Sequence, residues 1–295
     1  MNVLLATDGS DRSRVAEELA AAIAWPAGTR IEVLRVDQEL AQHLRLPDDA
    51  RRALQDSVRR ELEAHLAAVA ERIAAPGREV RTTMTIGRPA DLIAERARKT
   101  DADVIVLGSR GRGAIASTLL GSVAAEVVDA SPCPVLVARS PQLRGVVVAD
   151  DGSDGSAEAE EVLASWGFMR DLRLRVASVA EIVTVANGMG MGMVDADSFQ
   201  MMVDENRALH RGYAEAGVAR LAKHGIHATA EQRDGSTAYE LIEAAKAAGA
   251  DLIVVGSRGQ TGLARLVLGS VARGVLFHAP MSVLIVRQKV PATRN

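Results

Sequence analysis

The chain alternates between short apolar runs and longer amphipathic segments. Apolar, β-branched runs such as residues 2–6 and 31–36 are typical of strands that are buried on both faces. Between these two runs, apolar residues recur at helical spacing, which predicts a helix that Ser10 or Asp11 caps. The same criteria predict further strands at 80–86, 104–107 and 135–138, and helices at 48–74, from residue 89 and from residue 121.

The second half of the chain repeats this order after a short connection at residues 140–145. Predicted strands lie at 146–149, 172–179, 226–232, 252–255 and 282–286, and predicted helices at 157–165, 195–224, 238–248 and from residue 269. Strands that alternate with helices in this way predict a parallel, doubly wound sheet in each half. The expected fold class is therefore α/β, with two tandem five-stranded Rossmann-like domains over residues 1–140 and 145–290.

One stretch, residues 103–123, returns almost unchanged as residues 251–271. In each copy an apolar run is followed by glycines with the spacing Gly-x2-Gly-x9-Gly-Ser. Glycines let backbone N–H groups approach a ligand, and a helix that starts at Gly-Ser adds unpaired N–H groups and the positive end of its dipole. The spacing therefore predicts a cradle for a chain of phosphates. The alternative is a pair of turns that need glycine only for their geometry.

A carboxylate follows the first strand of each half, at Asp8 and Asp151. In doubly wound sheets, ligands bind outside the carboxyl ends of the strands, where the winding reverses direction. The ends of the first and fourth strands are then neighbours, so each carboxylate is expected beside a glycine cradle. Because a carboxylate repels phosphates, it would accept hydrogen bonds from a ribose or a base. A role as a helix N-cap is the alternative, and the two roles can coexist.

The two glycine stretches resemble the nucleotide-binding signature of the universal stress protein family. The resemblance implies a universal stress protein or adenine nucleotide alpha hydrolase-like fold, with ATP as the ligand. It also implies that Asp8 and Asp151 contact the nucleoside, and that backbone atoms of Val36 and Val179 help to hold the adenine. The predicted binding residues of the first domain are Thr7, Asp8, Gly9, Ser10, Val36, Leu107, Gly108, Arg110, Gly111, Arg112, Gly121, Ser122 and Val123. Those of the second domain are Asp150, Asp151, Gly152, Ser153, Val179, Val255, Gly256, Arg258, Gly259, Gly269, Ser270 and Val271.

The two copies differ inside the glycine stretch. Arg112 has Gln260 as its counterpart, so the second site offers less positive charge to phosphates. Gly113-Ala114 becomes Thr261-Gly262, which changes where the loop has its third glycine. These differences argue against assuming equal affinities at the two sites.

The composition argues against several classes of function. The net charge is −3, so the chain has no electrostatic footprint for nucleic acid or for an anionic membrane. No apolar stretch approaches the roughly 20 residues that a membrane span needs, and the N-terminus does not look like a signal peptide. The single cysteine, Cys133, rules out an intrachain disulfide and fits a reducing cytosol. We therefore expect a cytoplasmic protein.

The sequence lacks the common catalytic motifs. It has no Gly-x4-Gly-Lys-[Ser/Thr] loop and no Gly-x-Ser-x-Gly elbow. The closest histidine pair, His224 and His227, has no accompanying ligand cluster, so we expect no metal bound by side chains. Mg²⁺ would be held mainly by nucleotide phosphates. We expect no catalytic residues; Asp8 and Asp151 are the only candidates for a slow ATPase or phosphoryl-transfer enzyme.

The expected function is thus an ATP-binding stress-response regulator with two nucleotide sites. A slow ATPase and a nucleotide-free scaffold or dimerisation protein are the alternatives. The last strands of the halves are expected to be apolar sheet edges, which invite pairing. Family members commonly dimerise there, so we expect a homodimer, a pseudo-twofold pairing of domains, or both. The glycine–methionine alternation at residues 187–193 is either a lid or partner-binding loop, or a connection without function.

Overall fold

The computed structural model describes residues 1–37, 47–111, 120–181, 195–257, 259 and 268–287. Its contacts divide the chain into two compact units, of which the first runs from Met1 to Pro141 and the second begins at Gln142. Each unit is an α/β sandwich around one parallel sheet, as the sequence predicts.

The first unit contains five strands and four helices among its described residues. In chain order they are β1 (Asn2–Ala6), α1 (Asp11–Ala22), β2 (Arg30–Asp37), α2 (Asp48–Ile73), β3 (Glu79–Ile86), α3 (Pro89–Lys99), β4 (Val104–Gly108), α4 (Ser122–Ala130) and β5 (Val135–Ala138). The strands are parallel and lie in the order β3-β2-β1-β4-β5. α1 packs against α2, and α3 packs against α4.

The second unit repeats this plan. Its elements are β6 (Gly145–Ala149), α5 (Asp154–Ser165), β7 (Arg173–Ala180), α6 (Ala196–Lys223), β8 (Ala228–Asp234), α7 (Thr237–Ala248), β9 (Leu252–Gly256), α8 (Ser270–His278) and β10 (Ser282–Val286). The parallel strands lie in the order β8-β7-β6-β9-β10. In each unit the chain moves outward from the first strand and then returns to its other side. The winding therefore reverses between β1 and β4, and between β6 and β9.

The central strands are hydrophobic on both faces because helices cover both sides of each sheet. Leu4 and Leu5 of β1 are both fully buried, and so are Val147 and Val148 of β6. Helix starts follow local chemistry: Ser10 caps α1 and Ser153 caps α5, each accepting a hydrogen bond from a backbone N–H three residues on. The second cap explains why α5 starts at Asp154, three residues earlier than the apolar pattern predicts.

Two further features differ from the sequence prediction. A short 3-10 helix at Gly167–Asp171 was not predicted; it buries Phe168 and Met169. β8 begins at Ala228 instead of 226, because Ile226 is buried in the turn after α6, where its N–H bonds to the Leu221 carbonyl at 3.2 Å. The connection between the predicted strand at 31–36 and the predicted helix at 48–74 lies mostly outside the described residues, and the glycine–methionine segment at 187–193 lies wholly outside them.

Candidate functional site

The carboxylate and the glycine loop meet where the winding reverses. Asp8 Oδ2 lies 2.7 Å from the position that a Cβ on Gly111 would occupy. In the second unit, Asp151 Oδ2 lies 2.5 Å from the equivalent position on Gly259. The structure therefore brings the two predicted halves of the site together in both units, and it gives Gly111 and Gly259 a reason to lack a side chain.

Each aspartate also shapes the turn after its strand. Asp8 Oδ1 accepts a hydrogen bond from the Ser10 N–H at 3.0 Å, and Asp151 Oδ1 accepts one from the Ser153 N–H at 3.1 Å. Gly9 and Gly152 between them have φ of 74° and 75°, a left-handed conformation that favours glycine. One oxygen thus fixes the turn and the other faces the loop glycine. The helix caps are the serines, so the N-cap role considered for Asp8 belongs to Ser10.

Each helix that begins at the cradle has a glycine at its N-cap position. Gly121 and Gly269 occupy the N-cap positions of α4 and α8, and no side chain from the described part of the protein caps either helix. The Gly121 N–H donates to the Ser109 carbonyl at 2.7 Å, and the Gly269 N–H donates to that of Ser257 at 2.9 Å. These bonds tie the two ends of each glycine loop together. The N–H groups of the first helical turn, from Ser122 and Ser270 onward, are then the donors available to an anion.

Gly108 has a different role from Gly111. A Cβ on Gly108 would overlap the carbonyl oxygen of Arg12 and lie 2.8 Å from the Ser13 nitrogen. These are backbone atoms of the first turn of α1, which cannot move without displacing the helix. The glycine at the end of β4 is therefore required for packing, independently of any ligand.

A second arginine lies close to Arg110. Burial, and then repulsion by the Arg110 guanidinium, lower the pKa of Arg139 to about 10. Arg139 directly follows β5, and Arg287 directly follows β10 in the second unit. Sequence reasoning overlooked both residues, although an arginine after the last strand of each repeat was visible. Arg110 and Arg139 together concentrate positive charge near the carboxyl ends of β4 and β5.

Thr7 and Asp150 were predicted as binding residues, but their side chains are buried beneath the turn. Thr7 Oγ1 hydrogen-bonds Glu17 at 2.5 Å, whereas Asp150 pairs with Arg220 at 2.6 Å. Arg220 also pairs with Glu160 at 2.5 Å, so it bridges two carboxylates that are almost inaccessible to solvent. Burial, with a contribution from the charge of Asp150, raises the pKa of Glu160 to about 7, while the hydrogen bond from Arg220 opposes the shift.

Of the remaining predicted residues, Val123 and Val271 lie in the first turns of α4 and α8, and others lie at the ends of strands. Leu107 and Val255 are buried in β4 and β9. The Leu34 carbonyl of β2 accepts a hydrogen bond from the Thr7 N–H at 3.0 Å, just after the end of β1. Val36 is two residues farther along β2, so it lies beyond the end of β1. Arg112 and Arg258 lie outside the described residues.

The described residues contain no group of three histidine, cysteine, aspartate or glutamate side chains arranged to hold a metal ion. Among them, no helix is both long enough and apolar enough to cross a membrane.

Comparison with known proteins gives a family match in each unit. The model of the universal stress protein family matches residues 1–139 and again residues 143–287. A universal stress protein of Mycobacterium tuberculosis is 30% identical over 218 residues, which are 71% of this chain and 69% of that protein. Another, from Mycolicibacterium smegmatis, is 28% identical over 278 residues, covering 90% of this chain and 84% of that protein.

One solved structure shows the same fold over almost the whole chain. The crystal structure of a universal stress protein from Archaeoglobus fulgidus covers 97% of this chain and 98% of its own, with a TM-score of 0.63 and 21% identity. A universal stress protein solved in complex with cAMP covers 46% of this chain and 94% of its own, with a TM-score of 0.35 and 28% identity. With the family model matched twice along one sequence, this chain belongs to the universal stress protein family and carries two of its domains in tandem.

Proposed function

We propose that each domain binds one adenine nucleotide of the ATP type, and that the protein acts as a nucleotide-dependent regulator in the stress response. The observation that supports this most is the repeated contact of an aspartate carboxylate with a loop glycine, at Asp8 with Gly111 and at Asp151 with Gly259. In both units this contact lies at the reversal of the sheet, where doubly wound folds bind their ligands.

The geometry suggests how such a ligand would lie. Its phosphates would meet the first N–H groups of α4 or α8, and in the first domain also the charge of Arg110. The ribose would lie at Asp8 or Asp151, whose carboxylates accept hydrogen bonds from hydroxyl groups. The base would reach the backbone of Val36 or Val179. Any Mg²⁺ would be carried by the phosphates, since the described residues contain no cluster of histidine, cysteine, aspartate or glutamate side chains that could hold a metal ion.

We propose binding without efficient catalysis. Hydrolysis needs a base within reach of the attacking water, and the nearest carboxylate is placed at the sugar end of the proposed ligand, with one oxygen engaged in the turn. A slow ATPase is the second candidate. Single-turnover release of labelled phosphate separates the two: a regulator releases none above background, and release that is lost in Asp8→Asn with Asp151→Asn would make the protein an enzyme.

We further propose a cytoplasmic protein that pairs through the outer strands β5 and β10 of its sheets, with a domain boundary at residues 140–145. The cytoplasmic placement rests on the cysteine content of the sequence: Cys133 is its single cysteine, so an intrachain disulfide is impossible, which suits a reducing compartment. Mass spectrometry of the nucleotide released on denaturing the purified protein tests the binding function. We expect adenine nucleotide; its absence, together with no thermal shift on adding ATP, would favour a nucleotide-free scaffold.

A further inference from the structure

The long helices α2 and α6 occupy equivalent places but present different side chains to their sites. Arg72 of α2 and Arg220 of α6 each pair with the buried glutamate of the preceding helix, at 3.2 Å to Glu17 and 2.5 Å to Glu160. The next residue of each helix is completely buried. Arg72 and Arg220 are therefore equivalent positions in the two helices. Seven residues before them, His65 of α2 corresponds to Tyr213 of α6. Ten residues before them, Leu62 corresponds to His210.

Tyr213 lies directly over the turn that holds the second aspartate. A Cβ on Gly152 would collide with the Tyr213 ring, whose Cδ1 lies 2.6 Å from that position. Gly152 follows Asp151, the carboxylate that we place at the ribose. The ring therefore stands at the nucleoside end of the second site. Its counterpart in the first unit, His65, instead turns toward Glu17, with its Nε2 3.5 Å from the carboxylate.

His210 stands beside Tyr213, at the end of β7. Its Nδ1 is 2.9 Å from the hydroxyl oxygen of Ser178, and the two rings meet edge to face with centroids 5.4 Å apart. Ser178 immediately precedes Val179, whose backbone we place at the base. Burial lowers the pKa of His210, against the attraction of Asp151, Glu181 and other carboxylates. This burial favours the neutral form of the imidazole, although the side chain is only partly buried.

Gly217 lets α6 lie close to the turn at Gly152. A Cβ on Gly217 would overlap Glu160 and lie 2.8 Å from Asp150 Oδ2, whereas the equivalent residue of α2 is Val69. Gly217 thus brings α6 down onto the carboxylates beneath the turn. This close approach sets Tyr213, one helical turn earlier, against Gly152.

We infer that Tyr213 and His210 are nucleoside-contacting residues of the second site, which thereby recognises the base and sugar through side chains that the first site lacks. The inference rests on the proposed nucleotide binding and deepens it. An aromatic ring supplies a stacking surface for a base. An imidazole held at one nitrogen by Ser178 presents the other as a hydrogen-bonding group of fixed direction.

The test uses the full chain with one site disabled at a time. Gly121→Val leaves the second site and Gly269→Val leaves the first, and equilibrium dialysis measures ATP binding in each background. With only the second site active, we expect Tyr213→Leu to weaken ATP binding about tenfold, the size typical of losing one stacked aromatic ring. His210→Leu should weaken it by about fivefold, the loss of one hydrogen bond. Tyr213→Phe, which keeps the ring, should bind almost normally.

Inorganic tripolyphosphate, which has no nucleoside, is the internal control. Its binding to the second site should be the same in Tyr213→Leu as in its parent, which excludes a general loss of structure. The matched variant His65→Leu, in the background with only the first site active, should leave ATP binding unchanged. Unchanged or tighter ATP binding by Tyr213→Leu would overturn the inference. An absence of ATP binding to the unmodified protein would instead contradict the proposed function itself.

Discussion

At the scale of single residues, the glycines of one signature serve two purposes. Gly108 admits the backbone of α1, whereas Gly111 admits only the side chain of Asp8. The sequence shows the spacing of these glycines but not which atoms approach them, because the approaching atoms lie about a hundred residues away in the chain. The same limit explains why the burial of Thr7 and Asp150 could not be predicted from their positions beside Asp8 and Asp151.

This difference predicts that alanine substitutions at Gly108 and Gly111 impair different properties, stability at the first and ATP binding at the second. Gly108→Ala should destabilise the fold by about 1–3 kcal/mol, the usual cost of overpacking, because backbone must move. Gly111→Ala should cost less, because a side chain can turn away, but it should weaken ATP binding at the first site by displacing the Asp8 carboxylate. Urea unfolding and equilibrium dialysis measure the two effects. Equal stability of the two variants would contradict the assignment.

At the scale of elements, the alternation of strand-like and helix-like segments was sufficient to predict all ten strands and eight helices of the described chain. The central strands were the clearest, because burial on both faces leaves a continuous apolar run. The predicted boundaries were wrong where an interaction other than apolar periodicity determines the start of a helix. At α5 the Ser153 hydroxyl caps the helix, which therefore begins before the apolar periodicity does. The 3-10 helix was missed because so short an element has no periodicity to detect. Arg220 of α6 bonds to Glu160 of α5 and to Asp150, which are 60 and 70 positions away in the sequence. No local sequence pattern reveals contacts over such distances.

The link of Glu160 to Arg220 makes the second unit sensitive to pH. Glu160 has a pKa near 7 in the fold, against an ordinary value of 4.5. An acid whose pKa is raised by folding stabilises the fold while protonated, so this contribution is lost as the pH rises from about 4.5 through 7. We expect the second unit to lose about 2–3 kcal/mol of stability between pH 5 and pH 8 from this group.

Urea unfolding across this pH range checks the prediction. Glu160→Gln should flatten the dependence, because its side chain cannot ionise. Glu161→Gln is the matched control, since its side chain is 64% exposed, and it should leave the pH dependence unchanged. A profile in Glu160→Gln as steep as that of the unmodified protein would assign the pH dependence to other groups.

At the scale of the whole molecule, two copies of one site have diverged within a common frame. Each unit keeps the aspartate, the left-handed glycine and the glycine at the N-cap of the helix after the loop. The copies differ in the long helices: Tyr213 lies against the turn at Gly152, whereas its counterpart His65 turns toward Glu17. The repeat made the shared frame visible in the sequence. The divergence became visible only when the fold placed α6 over the turn at Gly152, since Tyr213 is 61 residues away from that turn.

The stoichiometry of ATP binding tests the central claim most directly. Equilibrium dialysis at saturating ATP should give two nucleotides bound per chain for the unmodified protein. Gly121→Val and Gly269→Val should each bind one, and the double variant none, while circular dichroism shows all of them folded. Two nucleotides bound by either single variant, or none bound by the unmodified chain, would contradict the claim that each glycine loop and its aspartate form one nucleotide site.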